Sequence, residues 1–211
     1  MEDVLDLYEE AYDPRHPKVC FDEKLVAPEA HVRPPEPMKP GQPERVDYEY
    51  ERLGTANLFF FVEPLAGWRH VEMTEHRTKI DYAHCIQWLV DQVYPQADCV
   101  RIVQDNLNTH TAAALYEAFP APEARRILQR VEFHSTPKHG SLLNMAEIEI
   151  SIFARGCLSR RVASMQDLRQ RIATLEAERN AKPCTISWRF TSHDARDKLH
   201  DLYPDVNNHL D

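Results

Sequence analysis

Three acidic residues stand in segments whose neighbours are themselves chemically capable. They are Asp22 in Cys20-Phe-Asp-Glu23, Asp105 in Val103-Gln-Asp-Asn-Leu-Asn-Thr-His110, and Glu147 at the end of His134-Ser-Thr-Pro-Lys-His-Gly-Ser-Leu-Leu-Asn-Met-Ala-Glu147. Each falls where an expected element begins or ends. Carboxylates at strand ends, gathered from distant parts of a chain, suit a pair of hard divalent cations, because Mg²⁺ prefers oxygen ligands and keeps positions open for phosphate. The chemistry this implies is metal-assisted attack on a nucleic-acid phosphodiester. Asn106, Asn108, His110, Lys138 and His139 form a second tier of candidate DNA contacts: a lysine can neutralise a phosphate, and asparagine can orient water or backbone oxygens.

Each residue also has a plainer explanation. Asp105-Asn106 reads equally as a turn after a strand. Glu147 lies three residues after Asn144, and spacing alone favours a capping box there. A lone lysine is commonly a solvated surface group, and a lone histidine a satisfied one. Glu149 is the close rival of Glu147, but two positions on a helix mean roughly 200° of rotation, so the two cannot share one site. Strand alternation excludes Glu23 beside Asp22 in the same way. The histidines His110, His134 and His139 invite zinc, yet no H-x-x-x-H spacing supports it.

The elements that must position these groups follow from periodicity. Lys18 to Asp22 alternates as a strand, with Cys20 and Asp22 facing one way. Pro28, Pro34, Pro35, Pro37, Pro40 and Pro43 then predict a long proline-rich loop over 26–45 with no element of its own. Ala56–Glu63 and Trp68–Met73 read as a hairpin around Pro64 and Gly67. Apolar spacing gives a helix from Ile80 to Tyr94, stopped by Pro95. Cys99–Gln104 is an apolar run that suits a central strand, with Asp105 at its carboxyl end, where ligands sit in such sheets. Short helices over Ala112–Phe119 and Pro122–Arg130 precede a strand at Val131–His134. Asn144 is expected to cap a helix running towards Leu158 with Met145, Ile148 and Ile152 inward. Ser164 opens another, with Met165, Leu168, Ile172 and Leu175 inward. A last helix after Ser192 buries Ala195, Leu199 and Leu202 and ends before Pro204.

Composition sets the bounds. The 211 residues, 43% hydrophobic and 28% charged, suit one α/β domain. No apolar run approaches a membrane span, and the acidic start lacks the features of a secretory signal, so a cytoplasmic location is expected. Five cysteines without a C-x-x-C pair are expected to be reduced, buried thiols. The net charge of −9 counts against nucleic acid if read alone, but the deficit is local: residues 1–63 hold 7 Lys+Arg against 15 Asp+Glu, and the remainder 18 against 19. Arg155, Arg160, Arg161, Arg169, Arg171, Arg179, Lys182, Arg189, Arg196 and Lys198 crowd the last third and suggest either a weak basic face or a mixed solvated surface.

In combination, Asp105-Asn-x-Asn-Thr-His110 and Thr136-Pro-Lys-His-Gly-Ser-x-Leu-Asn-Met-Ala-Glu147 closely resemble the catalytic domain of bacterial insertion-sequence transposases of the mariner superfamily, which carry an acidic DDE triad. The resemblance extends over Asp47-Tyr-Glu-Tyr50 and Ala56-Asn-Leu-Phe59. It implies an α/β, ribonuclease-H-like mixed sheet flanked by helices, with the proline-rich loop after the first strand, spanning residues 1–204 and followed by a tail at 205–211. It implies catalytic and metal-holding roles for Asp22, Asp105 and Glu147, two Mg²⁺ or Mn²⁺ ions, and DNA cleavage and strand transfer at element ends. The implied partners are element-end and target DNA and a second copy of the chain in a homodimer. The implied setting is the bacterial nucleoid. Leu142 stands where members often carry Trp. Members usually begin with helix-turn-helix modules; only 21 residues precede Asp22, so a separately encoded DNA-binding chain is expected. The competing expectations are an inactive remnant or non-catalytic binding subunit, and a ribonuclease H or junction nuclease, which would need the acids but not the Thr136–Glu147 motif.

Overall fold

The computed structural model describes residues 1–137, 140–199 and 203. Its centre is a mixed five-stranded sheet in the order β5-β4-β1-β6-β7, made of β1 (Lys18–Val26), β4 (Ala56–Glu63), β5 (Trp68–Thr74), β6 (Val100–Gln104) and β7 (Val131–Ser135). The hairpin β4/β5 adds to β1 antiparallel, and β1, β6 and β7 run parallel. β4 reads Ala-Asn-Leu-Phe-Phe-Phe-Val-Glu and is buried along its whole length, its apolar run over 58–62 covered by helices on both faces and the flanking Asn57 and Glu63 buried with it.

On one face, Val19, Phe21, Phe59, Phe61 and Ile102 pack against α2 (Lys79–Trp88), α3 (Ala112–Ala118) and α4 (Ala121–Leu128). α2 starts on a capping box between Thr78 and Asp81 and widens into a π turn over Leu89–Val93 before Pro95. On the other face, Leu58, Phe60, Val71 and Met73 meet α5 (Ala146–Gly156) and α6 (Met165–Ala181). α6 also protects the open edge of β5: Glu176 accepts the Val71 N–H at 2.9 Å, and Asn180 accepts the Arg69 N–H at 3.0 Å. Side chains thereby replace the missing neighbour strand.

Four details depart from expectation. An unforeseen helix, α1 (Glu2–Glu9), buries Val4, Leu5, Leu7 and Tyr8, an i, i+1, i+3, i+4 pattern that the acidic composition conceals. It packs on α7 (Ser192–Lys198), where Ser192 donates to Asp6 at 2.5 Å and Arg196 forks onto Glu2 at 2.7 Å. Leu202 and Pro204 lie outside the described residues.

The proline-rich stretch is not elementless. β1 continues to Val26, and β2 (Glu29–His31) pairs antiparallel with β3 (Tyr50–Arg52). The prolines flank Glu29–His31 without interrupting it, so its donors are free to pair. The arm between these strands is tied down by Arg161, which donates to the carbonyls of Asp47 and Glu49 at 2.8 Å each.

α5 turns a different stripe inward: Ala146, Glu149, Ile150 and Phe153 are buried while Ile148 is exposed. Phe153 sets edge-on against Phe60 at 5.4 Å, and the buried Glu149 takes Arg179, which together fix the rotation. Finally, all five cysteines are free, but Cys184 is exposed and Cys99 only half-buried.

Candidate active site

Parallel pairing aligns Cys20 of β1 with Val103 of β6. Asp22 and Asp105 each lie two residues further on, Asp22 in the middle of β1 where its pairing with β6 has ended and Asp105 just past the carboxyl end of β6, and adjacent strands are about 4.8 Å apart. Beneath them Cys20 and Val103 pack against Met145 and Ala146 at the start of α5, which brings Glu147 to the same end of the sheet. The three residues expected to act together are therefore neighbours.

Asn144 joins the two elements. Its Nδ2 donates to the Phe21 carbonyl at 2.8 Å and reaches Asp22 Oδ2 at 3.3 Å, while its Oδ1 accepts the Ala146 N–H at 3.2 Å. Asn144 is not the N-cap expected of it, since Met145 takes that position without a side-chain cap; it sits one residue earlier, accepts the first helical N–H and holds Asp22, a role that spacing does not reveal. Tyr8 of α1 donates to the Leu143 carbonyl at 2.8 Å and buttresses the same segment.

The carboxylates differ in environment. Burial pushes Asp22 up to about 7, and the charges of Glu147, Asp105 and Glu23 act in the same direction, against a hydrogen bond from the Glu23 N–H. Burial also works against ionisation of Asp105, but the His110 hydrogen bond and charge and the Leu107 N–H outweigh it and hold the group below the usual carboxylate range. Glu147 is exposed and, among the described residues, has no side-chain hydrogen bond or ion pair, so the capping-box alternative is not realised. Glu149 is committed elsewhere: it takes a bidentate pair from Arg179 at 2.6 and 2.8 Å with Arg69 at 3.4 Å.

His110 departs most from expectation. It is buried, not DNA-facing, because Nδ1 bonds Asp105 Oδ1 at 2.6 Å and Nε2 lies 3.3 Å from Glu23 Oε2. Glu23, which points away from Asp22, reaches Asp105 through this imidazole. Asn106 is exposed but anchors its loop by donating to the Thr136 carbonyl at 2.7 Å, and Asn108 is exposed. Lys138 and His139 lie outside the described residues. His134 pairs with Asp3 of α1 at 2.9 Å, away from His110, so these two do not form a zinc site. Of the expected basic face, Arg171, Arg179, Arg196 and Lys198 are spent on carboxylates, whereas Arg155, Arg160, Arg169, Lys182 and Arg189 remain exposed.

The donor set fits hard cations in type: three carboxylates, no thiolate, and, around Asp22, excess negative charge. Among the described residues, no three His, Cys, Asp or Glu side chains converge as they stand on one point able to hold an ion. Asp105 in particular is turned to His110.

Comparison with known proteins decides the family. Residues 17–169, a span containing all three acids, match the model of the DDE superfamily endonucleases. The chain is a DDE superfamily endonuclease domain. Its fold is shared by solved structures, two of which are chains of the Mos1 transposase. One, from the Mos1 transposase paired-end complex with left transposon end, gives a TM-score of 0.57 at 16% identity over 83% of this chain and 54% of that one. The other, from the Mos1 strand transfer complex, gives 0.56 at 17% identity over 84% and 53%. This DDE domain thus spans about half the length of the solved chains it matches. No curated protein matches it.

Proposed function

We propose that this chain is the catalytic domain of an insertion-sequence transposase that cleaves DNA at element ends and joins them to target DNA. The observation that carries the reading is the placement of Asp22 within β1 beside Asp105, which directly follows the neighbouring parallel β6, with Glu147 brought up by α5 so that the charges of both act on Asp22. Asp22, Asp105 and Glu147 would hold two Mg²⁺ or Mn²⁺ ions. When bound, such ions supply an activated water or 3′-hydroxyl and stabilise the leaving oxygen.

The chain's own residues prepare that chemistry. Asn144 fixes Asp22 against the start of α5. Tyr82 donates to Gln104 at 2.7 Å and Gln104 to the His110 carbonyl at 2.9 Å, which sets the loop carrying Asp105. Exposed Asn106 and Asn108 flank this end of the sheet and are assigned to the DNA, as are Lys138 and His139 on sequence grounds.

Residues 1–204 are assigned to one catalytic domain and 205–211 to a tail. The Glu29–Arg52 arm exposes Val32, Met38, Val46 and Tyr48, which suits a protein contact, and the assignment is to a second copy in a homodimer. End recognition is assigned to a helix-turn-helix module, in the same polypeptide or in a partner chain. No described helix is long and apolar enough to cross a membrane; the assigned setting is the bacterial cytoplasm, at the nucleoid.

The unconverged carboxylates favour one alternative, a non-catalytic binding subunit or inactive remnant. The test is Mg²⁺- or Mn²⁺-dependent nicking of DNA by the purified chain beside Asp22→Asn, with and without the partner chain. Cleavage lost in the variant supports the enzyme. Metal binding and an intact fold with no cleavage in either condition support the alternative.

A further inference from the structure

Behind Asp105 runs a row of alternating charge. Asp105 Oδ1 meets His110 Nδ1 at 2.6 Å, His110 Nε2 meets Glu23 Oε2 at 3.3 Å, and Glu23 Oε1 accepts from Arg77 at 2.7 Å. The two inner members are almost completely buried, with side chains 1% (His110) and 3% (Glu23) exposed, and Arg77 closes the row at the surface. The row joins β1, the turn before α2, and the loop after β6. Phe21 stands edge-on to the imidazole at 4.9 Å, and Tyr82 lies 4.9 Å away on another side.

The loop does not need this row to keep its shape. Its backbone is already held by Gln104 on the His110 carbonyl, Asn106 on the Thr136 carbonyl, and the His110 N–H on Leu107. What the imidazole adds is a bond to the carboxylate itself, whose only other hydrogen bond among the described residues is the Leu107 N–H at 3.2 Å. A ligand carboxylate with a free torsion spends binding energy on being ordered, and partners of this kind lower that cost.

We infer that His110 is a positioning residue that fixes the Asp105 carboxylate through Nδ1, with Glu23 and Arg77 fixing the imidazole from behind. This rests on Asp105 being a metal ligand, and the test separates the two ideas. Mn²⁺ affinity is measured by calorimetry on the full chain for the wild type, Asp105→Asn, His110→Asn, His110→Gln and Glu23→Gln, each checked for folding by thermal unfolding. Asparagine places its amide nitrogen near the former Nδ1, and glutamine near the former Nε2.

Positioning through Nδ1 predicts that His110→Asn stays within about threefold of the wild type while His110→Gln loses about tenfold or more. A packing role predicts the reverse order, since glutamine fills the space better. Equal affinities in the two His110 variants, or the reversed order, overturn the proposal while a loss in Asp105→Asn keeps the metal reading. If His110→Gln does not fold, Glu23→Gln decides: a loss of about threefold or more supports the row, and unchanged affinity overturns it. Unchanged affinity in Asp105→Asn removes the metal reading and the positioning role together.

Discussion

Glu147 and Glu149 stand two residues apart on α5 and have opposite fates. Glu149 is 1% exposed and answered by two guanidiniums, Arg179 and Arg69, the latter further held by the carbonyls of Arg179 and Cys184. Glu147 lies on the open side beside Asp22, which burial and three neighbouring carboxylates push up to about 7. Where the chain needs only to fold, a buried charge is matched by cations and carbonyls. Around the middle of β1 and the end of β6 no Lys or Arg bonds Asp22, Asp105 or Glu147 among the described residues; Asp105 is answered by His110, but at Asp22 negative charge accumulates at the cost of stability. Such a trade of stability for a charged site is what metal-assisted chemistry requires.

The largest expected effect is on the compensated side. Glu149→Ala leaves Arg69 and Arg179 without their carboxylate and is expected to cost about 3–5 kcal/mol, seen in urea or thermal unfolding. A loss below about 1 kcal/mol would mean that the two regions do not differ in kind. The uncompensated side should respond in the opposite direction. Without divalent metal at neutral pH, Asp22→Asn relieves an unfavourable ionisation and is expected to raise stability by roughly 1–2 kcal/mol, well under the ceiling of about 4 kcal/mol that a rise to about 7 sets, because the group is partly solvated. That corresponds to about 2–8 °C in Tm for a chain of this size.

The contrast was only partly legible in the residues. The order of the sheet strands and of the helices after them, the interior placement of β6 and Asp105 at its end followed from alternation and apolar runs, because those patterns record which faces are covered; β1 was read to Asp22 but continues to Val26. Helical rotation showed that Glu147 and Glu149 cannot share one site, and the family resemblance chose Glu147. The arginines that bury Glu149 did not, because Arg69 and Arg179 are 110 residues apart and no local period links them. His110 failed for the same reason: its two partners lie 5 and 87 residues away, so burial between carboxylates looks in sequence like any polar loop histidine. α1 was legible in principle, through Val4, Leu5, Leu7 and Tyr8, but its acidic face drew the reading to charge.

A second compensated group gives a pH signature. Burial alone would lower His70, but Glu176 and Glu72 outweigh it and raise the imidazole to about 9. A folded-state value above the ordinary 6.5 means that the stabilisation is complete below about pH 6.5 and is lost as pH rises through about 9. With its partial exposure discounted, the loss is expected to be roughly 1 kcal/mol, and His70→Gln should flatten the stability profile over that window. An unchanged slope in the variant would assign the pH dependence to other groups. The smallest effect belongs to Glu147: Glu147→Gln is expected to change stability by no more than about 0.5 kcal/mol, as for an exposed side chain. A larger loss would give it a structural partner and reduce its contrast with Glu149.

The most direct measurement is thermal unfolding of the wild type and Asp22→Asn across a Mn²⁺ titration. The wild type is expected to start lower and climb by about 2.7 kcal/mol when Mn²⁺ reaches a hundred times its Kd, while the variant starts higher and stays flat, so the two curves cross. A wild type that gains nothing from Mn²⁺, or a variant that gains as much, would contradict a metal site at Asp22.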